Sequence, residues 1–582
     1  MKAILLAVGV ALISGCSTGN FREIEGKPDP AVDAAPALTA PIGLVADTQF
    51  HESRGVPSRY FGLGGDEFVD VTIRTGQQVI GAGDVLAAAL KLTSALPLVI
   101  HAGDAIDVSC QTEWIRFKQI MTSSPRGIPS ATSWLFTPGN HDGFLTGNIF
   151  PTSSGLYWDG YWTNLCNAGQ LMKSTTATQF TFMAKHMLVR DYITLLGGAF
   201  GDDWRAQGCD TAGRLCWAAF APEAAPWTSY LIQLVKLPEA PDSAIPIYAL
   251  LLDSSDYESR PYLNSFVAGT EGSLSAAQLS AASSLLKSVP STAKYFFIAH
   301  HPANDWHGEK WSSERLNAWS NLLKDSRSLR FLVSSHTHKG SLRENTSTLG
   351  TFVELNTGSL ADAPVYLRKL EFRGTASGRI GVRSEAIPIT VDAERCTQLL
   401  PKVPSPDFDY GVDTQRSKSY RAGEIVPGPA AAVSAFWYFF NFWESKHKEL
   451  RPQLLAYADI VDATMPKDVD LTYVWTSTDA GRLSETLKGP AKTSAELRQN
   501  ANCTNGARKC SVQSKGNLLL AVENYYTAST TPADVKTKAH EMKLCMAVAA
   551  ANDSAVSDPS VRKVYNGIFK PWSLWLVPDS YK

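Results

Sequence analysis

Thr137-Pro138-Gly139-Asn140-His141-Asp142 sets an amide, an imidazole and a carboxylate side by side, directly after the apolar run Ser133-Trp134-Leu135-Phe136. That run has strand length and Pro138-Gly139 stops it, so the three polar side chains sit on a loop at a strand's carboxyl end. Open α/β sheets bind their ligands at that edge. Taken alone, the loop also reads as an ordinary turn in which Gly139 and Asn140 supply backbone freedom. Four further strand ends carry similar side chains, and their order along the chain decides the reading.

Upstream, Ile42 to Ala46 is a strand candidate that ends in Asp47-Thr48-Gln49, with His51 two residues on. Leu98 to Ile100 ends in His101-Ala102-Gly103-Asp104-Ala105-Ile106-Asp107. Downstream, Tyr295 to Ala299 ends in His300-His301-Pro302, and Leu329 to Ser334 ends in Ser335-His336-Thr337-His338. Helical spacing appears between these runs: Val85, Ala88, Ala89 and Leu92; then Leu279, Ala282 and Leu286; then Leu316, Trp319 and Leu323. Ser275-Ala276-Ala277-Gln278 has the form of a capping box in front of the second of these helices. Ile247 to Leu252, Phe352 to Leu355 and Leu367 to Phe372 are further strand candidates. Such alternation predicts a layered α/β body.

Carboxylate, amide and imidazole groups converging at one sheet edge suit borderline divalent cations. Two cations sharing a carboxylate need about this many ligands. A cation pair of that kind clamps a phosphate and makes hydroxide from water near neutral pH.

In order and content the five loops resemble those of the calcineurin-like metallophosphoesterases, whose pattern runs Asp-x-His, Gly-Asp-x-x-Asp, Gly-Asn-His-Asp/Glu, His, Gly-His-x-His. The resemblance spans roughly Ile42 to Phe372. It implies a four-layer sandwich, two β-sheets flanked by helices, and two divalent ions drawn from manganese, zinc, iron or magnesium. By position, Asp104 would bridge the ions; Asp47, Gln49 and His338 would complete one shell; Asn140, His300 and His336 would complete the other. His141 would face the leaving group, and Asp107 and Asp142 would orient it and its loop. The implied reaction is hydrolysis of a phosphate ester or anhydride by a metal-bridged hydroxide.

The departures carry information. Gln49 stands where the family usually has His, and an amide oxygen suits harder ions such as manganese or magnesium. Gln49 could instead bind through water, or His51 could take its place. Ser335 replaces the usual Gly, a small backbone change. Asp107 stands where purple acid phosphatases carry Tyr, so their coloured iron site is not expected. His101 and His301 read as structural neighbours of the ligands.

The ends of the chain set the context. Lys2, the apolar stretch Ala3 to Ile13 and Ser14-Gly15-Cys16 resemble a bacterial lipoprotein signal with Cys16 as the lipidated residue. That stretch is too short to span a bilayer. A plain secretory peptide ending in Cys is the alternative. Ser17 after Cys16 points to the outer membrane, if the host has one. Eight cysteines remain after Cys16, an even number that fits export to an oxidising compartment. Cys209 with Cys216 and Cys503 with Cys510 are expected to pair locally, leaving Cys110 with Cys166 and Cys396 with Cys545 by elimination.

The expected organisation is a signal and lipobox over 1–16, a linker over 17–41, a catalytic domain over 42–395 and a mainly helical domain over 396–582. An insertion, 143–244, is expected to shape the pocket entrance. In the last domain Phe436, Phe440 and Trp443 recur on one helical face and read as a buried helix, with a membrane-surface or glycan-gripping face as the alternative. A net charge of −2 gives no global case for nucleic acid as partner. The expected partners are a phosphorylated small-molecule or lipid substrate and, through the anchor, a membrane. The competing function is a surface lipoprotein whose impaired site only holds phosphate or a partner.

Overall fold

The computed structural model describes residues 20–50, 56–58, 67–69, 76–107, 109, 111–123, 126–143, 183–225, 228–243, 245–255, 272–306, 308–338, 340–361, 365–375, 378–392, scattered helical positions between 533 and 548, and 571–576. In chain order the elements are β1 (Asn20–Glu23), α1 (Pro30–Asp33), β2 (Ile42–Val45), β3 (Val56–Ser58), β4 (Glu67–Val69), α2 (Gly76–Leu92), β5 (Val99–His101), α3 (Gln111–Ser123) and β6 (Trp134–Phe136). Then come α4 (Lys185–Leu195), β7 (Arg205–Cys209), β8 (Leu215–Phe220), β9 (Tyr230–Lys236), β10 (Ile247–Leu252), α5 (Ala276–Leu286), β11 (Lys294–Ala299), α6 (Ser313–Lys324) and β12 (Ser328–Ser334). The last strands are β13 (Ser341–Ser347), β14 (Gly350–Asn356), β15 (Tyr366–Gly374), β16 (Ile380–Pro388) and β17 (Trp572–Leu576).

Two mixed sheets result, with β3 and β4 paired apart from them. The larger runs β1-β13-β14-β12-β11-β10-β9-β8-β7 and the smaller β17-β16-β15-β2-β5-β6. Each has a parallel heart: β10, β11, β12 and β14 in one, β2, β5 and β6 in the other. Ile247-Tyr-Ala-Leu-Leu-Leu252 is an almost unbroken apolar run because a parallel strand is covered on both faces. On β11, Phe296 and Ile298 join one core cluster while Tyr295, Phe297 and Ala299 join another. Period-two alternation thus sends consecutive side chains to opposite faces.

The first cluster ties the two sheets together, with the Phe296 and Phe372 rings 4.7 Å apart between β11 and β15. The second packs α5 and α6 onto the larger sheet through Leu279, Ala282, Leu285, Trp319 and Leu322. Each such buried leucine contributes about 1.5–3 kcal/mol of transfer free energy. Val85 and Ala89 of α2 are buried as their spacing predicts, but Leu92 is exposed, since α2 ends there. Ser275 caps α5 by accepting from the Gln278 backbone N–H at 3.2 Å. Gln278 Oε1 makes no hydrogen bond, so the reciprocal arm of the expected box is not formed.

The structure redraws three expected boundaries. Part of the linker is folded: β1 pairs with β13, and Asp29 with Pro30 starts α1, whose Val32 is fully buried. Within the expected insertion, β7, β8 and β9 extend the larger sheet from β10, and α4 lays Leu188, Val189, Tyr192 and Ile193 into the core. Residues 144–182 lie outside the described residues. The C-terminal region returns to the smaller sheet, where β17 pairs with β16. Cys209 and Cys216 form the expected disulfide across β7 and β8. Cys545 is disulfide-bonded, with its partner outside the described residues. Cys16, His51, the remaining cysteines and the Phe436–Trp443 face also lie outside them. Among the described residues no helix is long and apolar enough to cross a membrane.

Candidate metal centre

All the loops singled out in the sequence leave the carboxyl ends of parallel strands. β2 delivers Asp47 and Gln49, β5 delivers Asp104 and Asp107, and β6 delivers Asn140, His141 and Asp142. From the other sheet β11 delivers His300 and His301, and β12 delivers His336 and His338. The loops are stitched together across the sheets. Thr137 Oγ1 donates to the Leu252 carbonyl at 3.0 Å, Ser335 Oγ donates to the Ala102 carbonyl at 2.6 Å, and Ser359 Oγ donates to the Asp47 carbonyl at 3.1 Å.

The side chains meet in one buried place. His300 Nε2 lies 3.1 Å from Asp104 Oδ2, 3.1 Å from Asn140 Oδ1 and 4.0 Å from Asp47 Oδ1. His338 Nε2 lies 3.3 Å from Asp47 Oδ1. Gln49 Nε2 donates to Asp104 Oδ2 at 3.4 Å. His141 Nε2 is 3.9 Å from the same oxygen. The His336 and His300 rings stand 5.2 Å apart. Asp47, Asp104 and His300 can each turn a ligand atom to a common point, and so can His300, His301 and His336.

Backbone strain gathers here. Asp47, Gln49, Asp104, His336 and His338 all hold positive φ, between 44° and 68°. For residues other than glycine this left-handed region costs roughly 1–2 kcal/mol each, and such outliers cluster at functional sites. Gly139 is needed for space: a Cβ there would stand 2.2 Å from Asp104 Oδ1. Gly103 meets both demands, with φ of 98° and a Cβ position 2.4 Å from His300 Nδ1. The backbone freedom offered as a reason for Gly139 is thus the lesser one.

Neighbouring groups orient each side chain. His300 Nδ1 donates to the Ala102 carbonyl at 2.9 Å and lies 2.9 Å from Ser335 Oγ, which leaves Nε2 facing the carboxylates. The hydroxyl of Ser335 therefore acts on the site, beyond the small backbone change read from sequence. His141 Nδ1 bonds the Asp107 carbonyl at 2.5 Å and lies 3.3 Å from the Asp107 carboxylate, so Nε2 faces Asp104. Asp142 accepts from Gly139 N at 2.8 Å and Ile106 N at 3.1 Å, pinning its own loop to the next one.

Burial opposes charge on Asp104, yet the His300 and His141 imidazoles and the hydrogen bond from His300 hold its carboxyl well below its usual range. Burial also pulls His300 down, but Asp104 and then Asp47 outweigh it and push it up to about 9. A proton on Nε2 and a divalent cation compete for the same oxygens. Burial, helped by neighbouring imidazoles, drives His301 and His336 well below the ordinary value, so both are neutral and have a lone pair to offer. Burial and then the Asp104 charge push Asp142 up to about 7 against its two backbone bonds.

The residues fit a cation centre on two counts. Both Asp47 carboxylate oxygens, Gln49 Oε1 and His301 Nε2 are buried without a hydrogen bond. The set mixes carboxylate and amide oxygens with imidazole nitrogens, as borderline divalent ions require. Sequence reasoning missed His301 as a candidate ligand. Its signal was a second imidazole beyond the end of a strand, where alternation no longer dictates opposite faces.

No protein-family model matches the chain, and no curated protein matches it. Among solved structures the chain is similar to the phosphopantetheinyl hydrolase of Mycobacterium tuberculosis at 11% identity and a TM-score of 0.22, covering 56% of this chain and 90% of that one.

Proposed function

We propose that this chain is a metal-dependent hydrolase of phosphate esters or anhydrides, of the calcineurin-like metallophosphoesterase type, working with two divalent cations. The observation that carries the reading is the convergence of five parallel-strand ends on Asp47, Asp104, Asn140, His300 and His336, with both Asp47 carboxylate oxygens buried and not hydrogen-bonded. The four-layer architecture is supported by α5 and α6 on the larger sheet and by α2 and α3 sharing a core cluster with the smaller one.

Asp47, Gln49 and His338 would hold one cation, Asn140, His300 and His336 the other, and Asp104 would face both. Bound cations neutralise phosphoryl oxygens and bring a water's pKa towards neutrality. The chain supplies the rest. His141, anchored through Nδ1 on Asp107, presents Nε2 to the centre, where it can hold a proton for the leaving oxygen. Asp142 keeps Asn140 and His141 in register through Gly139 and Ile106. Asn140→Ala should lower turnover of a generic aryl phosphodiester by roughly 100-fold or more, with an unchanged circular dichroism spectrum and less bound metal. Full activity in that purified variant would defeat the assignment.

Export and anchoring through Cys16 belong to the same reading. They are supported by the Lys2 to Cys16 pattern and by the Cys209–Cys216 disulfide, which suits an oxidising compartment. Metabolic labelling with a palmitate analogue should mark the chain and fail in Cys16→Ser. The substrate class is phosphorylated small molecules or lipid head groups at the envelope.

A second reading is a phosphate- or partner-binding lipoprotein with an impaired centre. The orientation of Gln49 favours it, since the amide turns its N–H, a donor rather than a ligand, towards Asp104. Tight phosphate binding without turnover, under any of manganese, zinc or magnesium, would select it.

A further inference from the structure

The proposed centre uses three imidazoles as ligands, His300, His336 and His338. A fourth, His301, is fully buried against two of them. Its ring centroid is 4.8 Å from that of His300 and 4.6 Å from that of His336. One ring nitrogen from each of the three lies within 4.8 Å of the others. His301 Nε2 is buried and makes no hydrogen bond. The rest of the residue is held firmly: Nδ1 lies 2.9 Å from Ser254 Oγ, and that hydroxyl accepts from the His301 backbone N–H at 2.9 Å.

His101 provides the contrast. It too is buried with one bonded nitrogen, Nε2 at 2.7 Å from Thr48 Oγ1, and one unbonded. Its ring packs on Phe117 and Phe136, and it belongs to no candidate metal-binding group among the described residues. His301 instead belongs to an imidazole trio, and its unbonded Nε2 is a buried polar atom left unsatisfied unless something occupies the common point.

We propose that His301 is a ligand of the second cation, so that this half of the centre is nitrogen-rich and selects zinc, while the Asp47 half selects a harder ion such as manganese. The inference rests on the reading of the centre given above. Imidazole nitrogens suit zinc; carboxylate and amide oxygens suit manganese or magnesium. The centre would then hold two different metals, sorted by the two ligand sets.

The test uses the full chain, stripped with a chelator. Offered equal zinc and manganese, it should take up one of each, measured by plasma mass spectrometry. X-ray absorption at the zinc edge, with one equivalent of zinc, should require three imidazoles. His301→Phe should weaken zinc binding by roughly 100-fold or more and leave the manganese content unchanged; Ser254→Ala, which keeps the ring but frees it, should weaken zinc binding by roughly 10-fold. A zinc spectrum with two imidazoles, or a folded His301→Phe that binds zinc like the parent, would overturn the proposal and leave the proposed centre standing. A parent chain that binds neither metal would overturn the proposed function, and this inference with it. The absorption measurement needs no variant, so a failure of His301→Phe to fold leaves the question decidable.

Discussion

The two sheets contribute different chemistry to the same rim. The smaller sheet, through β2, β5 and β6, supplies oxygen: Asp47, Gln49, Asp104 and Asn140. The larger, through β11 and β12, supplies nitrogen: His300, His301, His336 and His338. The Asp47–Asp104 pair of the smaller sheet needs His300 from the larger one to complete a candidate metal-binding group. The candidate site is therefore a property of the seam, and whatever registers one sheet on the other also registers the proposed ligands on one another. The Phe296–Phe372 contact does this in the core, and the bond from Ser335 to Ala102 does it at the rim. His141 is the exception, an imidazole on the oxygen side, and it is the residue given a role on substrate.

The oxygen side is breakable at one glycine. Gly139→Ala drives a methyl group into Asp104 Oδ1 and its backbone nitrogen. Turnover should fall by roughly 1,000-fold, on the order of 4 kcal/mol in barrier height. Metal content should fall with it, while far-ultraviolet circular dichroism stays unchanged because the clash is confined to the rim.

A histidine of the smaller sheet sharpens the contrast in another way. Burial, and then the charge of His300, pull His101 down to about 3. A folded value below the unfolded one means that its stabilising contribution is complete above about pH 6.5 and is lost as pH falls towards 3. Between pH 6.5 and 4.5 this amounts to about 2 kcal/mol. Urea unfolding across that range should show a shallower decline in His101→Gln than in the parent. An equal decline would mean that His101 is not a neutral core residue.

The seam bond is the smallest lever. Ser335→Ala removes the hydroxyl beside His300 Nδ1 and the link to Ala102, leaving every proposed ligand in place. Metal affinity and turnover should each fall by roughly 10-fold, measured by chelator competition and by initial rates. Rescue by Ser335→Thr would show that the hydroxyl, and not the small side chain, is what matters.

Much of the candidate site was legible because the side chains proposed as ligands follow local sequence patterns. Asp47, Asp104, Asn140, His300, His336 and His338 each follow an apolar run short enough to be a strand, and strand ends are where such groups converge. The inner strands were legible for the same reason: Ile247 to Leu252 and Tyr295 to Ala299 are largely buried on both faces and read as apolar. The edges were not. Arg205-Ala-Gln-Gly-Cys209 exposes most of its residues and shows its strand character only when paired with β8. Pairing of Trp572–Leu576 with Ile380–Pro388 joins stretches far apart in sequence, and neither announces its partner. Gly139 read as a flexible turn because the carboxylate that it makes room for comes from another loop. His301 read as a bystander because the value of its free nitrogen depends on two rings that arrive through the fold.

One measurement bears most directly on the claim that the seam holds cations for phosphoester hydrolysis. The purified full chain is assayed on an aryl phosphodiester as isolated, after exhaustive chelation, and after adding back manganese and zinc. The account predicts turnover that chelation abolishes and the metals restore, with two ions bound per chain. Turnover that persists in the metal-free chain, or a chain that binds two ions and hydrolyses no phosphate ester or anhydride, would contradict it.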